Sequence, residues 1–178
     1  MKPRGEHPQY PGLPWIGGDL VFAEAVTTAI DAHARAAYPS EACGFVFGPA
    51  ADPPRCDDVQ REENEADRYH ALDPETFPRT SREYFLINGL RASRAFDRGA
   101  EDGRPLKVIY HSHCEAGAYF SEEDAATFSQ GQLLTWPCAF LVVSVRDAGE
   151  GPAVVERRVW VHEPGTDGFV EAPLRVAP

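Results

Sequence analysis

The stretch from Leu106 to Asp124 constrains this chain more than any other. It opens with Leu-Lys-Val-Ile-Tyr-His-Ser, an apolar run of strand length, and places two histidines, His111 and His113, two positions apart. Side chains alternate across a strand, so both imidazoles leave on one face. Residues 114–120 form a loop. Ser121 then opens a helix with Asp124 three residues on, which sets both side chains on one face at a helix N-terminus. Any fold that contains this stretch must bring a strand end and a helix start together.

The flanking segments alternate between the two periods. Leu20–Phe22 reads as a short strand. Val26, Ile30, Ala34 and Ala37 form a helical stripe over residues 23–37, stopped by Tyr38-Pro39-Ser40. Ala42–Phe47 reads as a buried strand with Gly48-Pro49 as its turn. A Pro-rich loop over 50–57 leads into a strand within Arg55–Asn64. Asp73 as N-cap and Pro74 at the first helical position predict a second helix running to about Asp97, bent or interrupted at Gly89. The helix from Ser121 is expected to end near Gly131. Cys138–Val145 and Ala153–His162 read as strands joined as a hairpin around Ala148–Gly151. This order predicts an α/β (α+β) domain with a mixed sheet and flanking helices over residues 19–165. An irregular Pro- and Gly-rich arm, 1–18, is expected to pack on its surface, and 166–178 form a tail.

A chain of 178 residues fits one domain with a real core. Its apolar runs are too short to span a bilayer, and no apolar segment follows Met1-Lys2-Pro3-Arg4, so no membrane association, no signal peptide and a cytoplasmic address are expected. The net charge of −11 and the lack of a Lys/Arg cluster exclude a nucleic-acid binder. Cys43, Cys56, Cys114 and Cys138 form no CxxC pair, which argues against a tetrathiolate site and for thiols in a reducing compartment. Trp136-Pro137-Cys138 lacks the second cysteine that a zinc deaminase needs.

Two histidines and an aspartate make a three-ligand set for Zn²⁺ with a fourth position left for water. Coordination lowers that water's pKa to about 7, and a nearby carboxylate can move its proton. The Ser121 hydroxyl could donate to an oxyanion. Each part alone has a structural explanation. A His-x-His pair arises by chance, and Ser-x-x-Asp is a helix capping box. Capping and catalysis are compatible at Ser121, and the conjunction of parts favours a metal site.

The pattern His-x-His, seven residues, Ser, two residues, Asp resembles the JAMM (MPN-plus) metalloprotease family. The resemblance spans roughly residues 19–162. It implies a single-domain MPN/JAB-like fold with a mixed, curved β-sheet. It also implies one zinc held by His111, His113 and Asp124, with Ser121 stabilising the oxyanion. The segment Tyr38-Pro-Ser-Glu41-Ala-Cys-Gly-Phe-Val-Phe-Gly48 resembles the family's upstream element and supplies Glu41 as general acid/base. Asn64 also resembles a recurrent position. Cys114 departs from the family, which has Pro after the second histidine. It is expected to be a packed thiol, with metal contact or oxidation to pair with Cys43 as alternatives. Glu115, Glu122 and Glu123 are expected to face solvent.

The resemblance implies hydrolysis of the peptide or isopeptide bond after the small-residue tail of a ubiquitin-like protein, within a pathway of activating and conjugating enzymes. The alternatives are processing of a β-grasp sulfur-carrier protein, and a binding scaffold without catalysis.

Overall fold

The computed structural model describes residues 1–178. Its strands are β1 (Val21–Ala23), β2 (Cys43–Phe47), β3 (Arg55–Cys56), β4 (Asp58–Glu62), β5 (Leu106–Cys114), β6 (Ser129–Gln130), β7 (Leu133–Leu134), β8 (Ala139–Asp147), β9 (Pro152–His162), β10 (Phe169–Ala172) and β11 (Val176–Ala177). The helices are α1 (Glu24–Ala37), α2 (Ala66–Leu72), α3 (Gly89–Glu101) and α4 (Glu122–Phe128). No helix is long and apolar enough to cross a membrane.

Six strands form the main sheet in the order β10-β9-β8-β5-β2-β4. It is mixed, as expected: β5 and β8 run parallel, and the other neighbours are antiparallel. A parallel pair needs a crossover, and residues 115–138, carrying α4 and the β6–β7 hairpin, supply it. The pair is covered on both faces, which is why Leu106–Tyr110 and Ala139–Val143 are continuous apolar runs apart from Lys107.

Alternation along β5 divides its side chains between two layers. Tyr110 points towards α1, where its hydroxyl lies 2.8 Å from Nδ1 of His33. Its ring occupies the space above Gly44, its partner on β2; a Cβ at Gly44 would stand 2.5 Å from the ring. Ile109, His111 and His113 point the other way, and His111 meets Phe85 and Asp124. Lys107, where the β2–β5 register shifts, is fully buried. Its ammonium donates to the carbonyls of Pro49, Asp52, Pro53 and Arg55 at 2.8–3.1 Å and lies 5.1 Å from the Trp15 ring. That network satisfies a charge that would otherwise be costly to bury.

Three expectations need correction. No helix runs from Asp73 to about Asp97. Asp73 ends α2, with its carboxylate accepting from the Thr76 N–H. Residues 73–88 form a loop containing Pro78, and a new helix starts at Gly89, capped by the Asn88 side chain. Asp and Pro serve a turn as well as a helix start, and the turn won here. The helix from Ser121 stops at Phe128, because Gly131 at positive φ turns a small hairpin. Residues 166–178 are structured: β10 pairs with β9, and β11 pairs with β1.

The N-terminal segment also does more than lie on the surface. Trp15 and Ile16 enter the main core. His7 contacts His162 at 3.1 Å, and the Tyr10 hydroxyl accepts from the Leu134 N–H.

Candidate metal centre

His111 and His113 leave the C-terminal end of β5 on one face, and the crossover returns the chain so that Asp124, in the first turn of α4, meets them. The two Nε2 atoms are 3.1 Å apart. Oδ2 of Asp124 lies 3.4 Å from Nε2 of His111 and 3.8 Å from Nε2 of His113. All three residues are buried. Ligand atoms of tetrahedral Zn²⁺, with bonds of about 2.0–2.1 Å, stand about 3.3–3.4 Å apart. The observed spacings bracket that value, so the donor set fits such an ion.

Local contacts fix each donor. Nδ1 of His113 lies 2.8 Å from the Gly117 carbonyl, which sets a tautomer with Nε2 free for a metal. The His111 ring stacks on Phe85 with centroids 4.2 Å apart. The Asp124 carboxylate accepts from the Ser121 N–H at 2.9 Å, and the Ser121 hydroxyl accepts from the Asp124 N–H at 3.0 Å. This is the capping box read from the sequence. It engages a lone pair of Ser121 and leaves the hydroxyl proton to be donated elsewhere.

Protonation favours ligation at two of the three donors. Burial lowers the pKa of fully enclosed His111, which keeps it neutral. Burial alone would raise Asp124, but the two histidines and the Ser121 N–H outweigh it and hold the carboxyl well below its usual range. At His113 burial opposes the charged form, while hydrogen bonding to Asp124 and the charge of Glu41 act the other way and raise its pKa. A proton therefore competes with a metal most strongly at His113.

Glu41 sits just before β2. Its segment is stitched to β5 between the two histidines: the Ala42 N–H donates to the Ser112 hydroxyl, and the Ser112 N–H donates to the Ala42 carbonyl. The Glu41 N–H donates to the Ser81 carbonyl, and its own carbonyl accepts from Asn64. Burial is the largest influence on its carboxyl, which is pushed up to about 8. A carboxyl so poised can gain or lose a proton near neutrality.

All five expected residues meet here: Glu41, His113, Ser121 and Asp124 line one cavity of about 380 Å³, and His111 lies behind them. Cys114 lines it as well. Its thiol donates weakly to the Ser40 carbonyl at 3.5 Å, and burial raises its pKa to about 11. Glu115 and Glu123 are exposed but engaged, Glu115 by the Tyr38 hydroxyl and Glu123 by Arg79. Arg79, Arg82, Tyr84 and Tyr119 complete the walls. The sequence reading missed the first three because it placed them in a helix. Pro78 was the available signal that residues 73–88 are a loop.

A buried His/His/Asp cluster with a proton-exchanging carboxyl beside it defines a class of candidate hydrolytic metal centres. Comparison narrows the class. The description "prokaryotic homologs of the JAB domain" matches residues 23–162, and the chain belongs to that family, within the wider JAMM/MPN group. A protein named CysO-cysteine peptidase from Mycobacterium tuberculosis is 31% identical over 130 residues, 72% of this chain and 75% of that one. Solution structures of proteins from Desulfitobacterium hafniense and Salinibacter ruber share the fold. Their TM-scores are 0.60 and 0.57 and their identities 21% and 24%; each comparison covers 89% of this chain and 92% of the other.

Proposed function

We propose that this protein is a zinc-dependent peptidase. It hydrolyses the amide bond after the small-residue C-terminal tail of a ubiquitin-like protein, with a β-grasp sulfur carrier as the favoured substrate type. The observation that carries this reading is the convergence of three donors beside the buried carboxyl of Glu41. The relative named CysO-cysteine peptidase supports the carrier reading over deconjugation. The free thiols suit a reducing compartment, and we place the enzyme in the cytoplasm.

A Zn²⁺ held by His111, His113 and Asp124 would act as a Lewis acid that makes water nucleophilic near neutral pH. Glu41 takes the proton of the attacking water and returns it to the leaving nitrogen. Ser121 donates its free hydroxyl proton to the developing oxyanion. Tyr84 and Tyr119 line the same cavity, and the small residues before the scissile bond follow from the family resemblance.

The test combines metal analysis with hydrolysis of a fusion in which a β-grasp domain ends in Gly-Gly followed by a short extension. Wild type should hold one zinc and cleave after Gly-Gly. Glu41→Gln should keep the metal and lose cleavage, and His113→Ala should lose both. Equal cleavage by wild type and Glu41→Gln would overturn the mechanism.

A further inference from the structure

The two imidazoles of the donor cluster are held in different ways. Nδ1 of His113 lies 2.8 Å from the Gly117 carbonyl, so a hydrogen bond orients that ring. His111 has no such partner. It is 0% exposed, and its Nδ1 meets no hydrogen-bonding group. A histidine that ligates a metal through Nε2 carries its proton on Nδ1, and a carbonyl or carboxylate ordinarily anchors that proton. A bare N–H in the interior costs free energy and fixes nothing. Another contact must set the direction of this ring.

Phe85 supplies it. Its ring lies against His111 with centroids 4.2 Å apart and planes 19° from parallel. It also stacks on Phe128, at 5.8 Å and 23°. Phe128 closes α4, the helix whose first turn carries Asp124. Phe85 therefore touches one donor and the element that carries another. Its own place is set from the backbone on both sides. The Tyr84 carbonyl accepts from the Asn64 amide at 3.0 Å, and the Leu86 N–H donates to the Asn64 oxygen at 3.1 Å. The Leu86 carbonyl accepts from the Glu65 N–H at 2.9 Å.

We propose that Phe85 is the positioning residue of His111: it holds the imidazole by stacking, where a hydrogen bond would ordinarily do so. Its value to the metal centre rests on the zinc reading above. The stacked face restrains tilt of the imidazole and keeps Nε2 aimed at Nε2 of His113 and Oδ2 of Asp124. Stacking accepts no proton. His111 therefore lacks the gain in basicity that a hydrogen-bonded partner gives a ligating histidine, and its orientation depends on the Phe85 ring.

Two measurements on metal test this: zinc affinity by competition with a chromogenic chelator, and visible absorption of the Co²⁺-loaded protein, whose bands report ligand geometry. Phe85→Leu keeps an apolar side chain and removes the ring. It should weaken zinc binding by roughly 10-fold, near the upper end of what an aromatic pair contributes, and alter the cobalt spectrum. Phe85→Tyr brings the ring back and should restore both. Phe22→Leu, a core substitution in β1, controls for lost stability. It should lower the melting temperature and leave affinity and spectrum as in wild type. Wild-type affinity and spectrum in Phe85→Leu overturn the inference, as does equal weakening by Phe22→Leu. NMR of the metal-free protein separates the inference from its premise. The Phe85 ring current should shift the His111 ring protons upfield, and Phe85→Leu should abolish the shift. A wild type that shows the shift but binds no metal discards the zinc reading and keeps Phe85 as the group that orients His111. Metal binding without the shift keeps the centre and discards the role of Phe85.

Discussion

Glu41 shows how much a residue's chemistry depends on what surrounds it. In the sequence it is one glutamate among many acidic residues. In the fold, burial against β5 penalises its charge and moves its pKa to about 8. A carboxyl whose pKa rises on folding contributes stability that is present below its unfolded pKa and lost as pH rises through the folded value. The metal-free protein should therefore lose stability between about pH 4.5 and pH 8 on account of this group. Glu41→Gln removes the titration. The variant should melt higher than metal-free wild type at pH 9 and nearly with it at pH 4, as thermal unfolding at the two values would show. Equal melting at pH 9 would mean that Glu41 is better solvated than its burial indicates. The position of Glu41 beside the donors could be reached from the sequence only through family resemblance, because its environment comes from β5 and from residues 81–84. The clustering of His111, His113 and Asp124 was legible directly, since one strand, one loop and one helix turn bring them together.

Elements that carry their own periodic signal were read correctly, and those that depend on distant partners were not. The stripe Val26, Ile30, Ala34 gave α1, and the apolar run from Leu106 gave β5. The loop over 73–88 has no such period. Asn64 holds it in place. The Asn64 amide donates to the carbonyls of Glu41 and Tyr84, and its oxygen accepts from the N–H groups of Ala66 and Leu86, all at 3.0–3.1 Å. One side chain thereby joins the entry to β2, the start of α2 and the wall of the groove. Asn64→Ala leaves four backbone groups short of a partner, at about 1–3 kcal/mol for each one that stays buried and unsatisfied. The variant should show a lower melting temperature and reduced hydrolysis while still binding zinc. Full activity at wild-type stability would show that water replaces the amide and that the loop is held by other contacts.

For the molecule as a whole, the chain ends belong to the fold. Deleting residues 1–18 removes Trp15 and Ile16 from the core and the Tyr10 contact from β7. Two buried side chains contribute about 1.5–3 kcal/mol each, so the melting temperature should fall by about 6–24 °C. A change within about 2 °C would mean that the segment is dispensable. None of these residues lines the catalytic cavity, so metal content should survive in whatever fraction folds. Packing of this arm on the surface was expected, but the entry of Trp15 and Ile16 into the core was not, because an irregular stretch has no period to mark its buried side. The strands β10 and β11 were missed for a related reason. Each is too short to show a period, and each exists because a partner strand offers it hydrogen bonds.

The donors His111, His113 and Asp124 lie within a single stretch of the chain, whereas Glu41 reaches them from a strand far upstream. The donor cluster and the carboxyl beside it are thus supplied by separate parts of the sequence, joined where β2 lies against β5. Displacing β2 from β5 would carry Glu41 away and leave the three donor residues on their own stretch of chain.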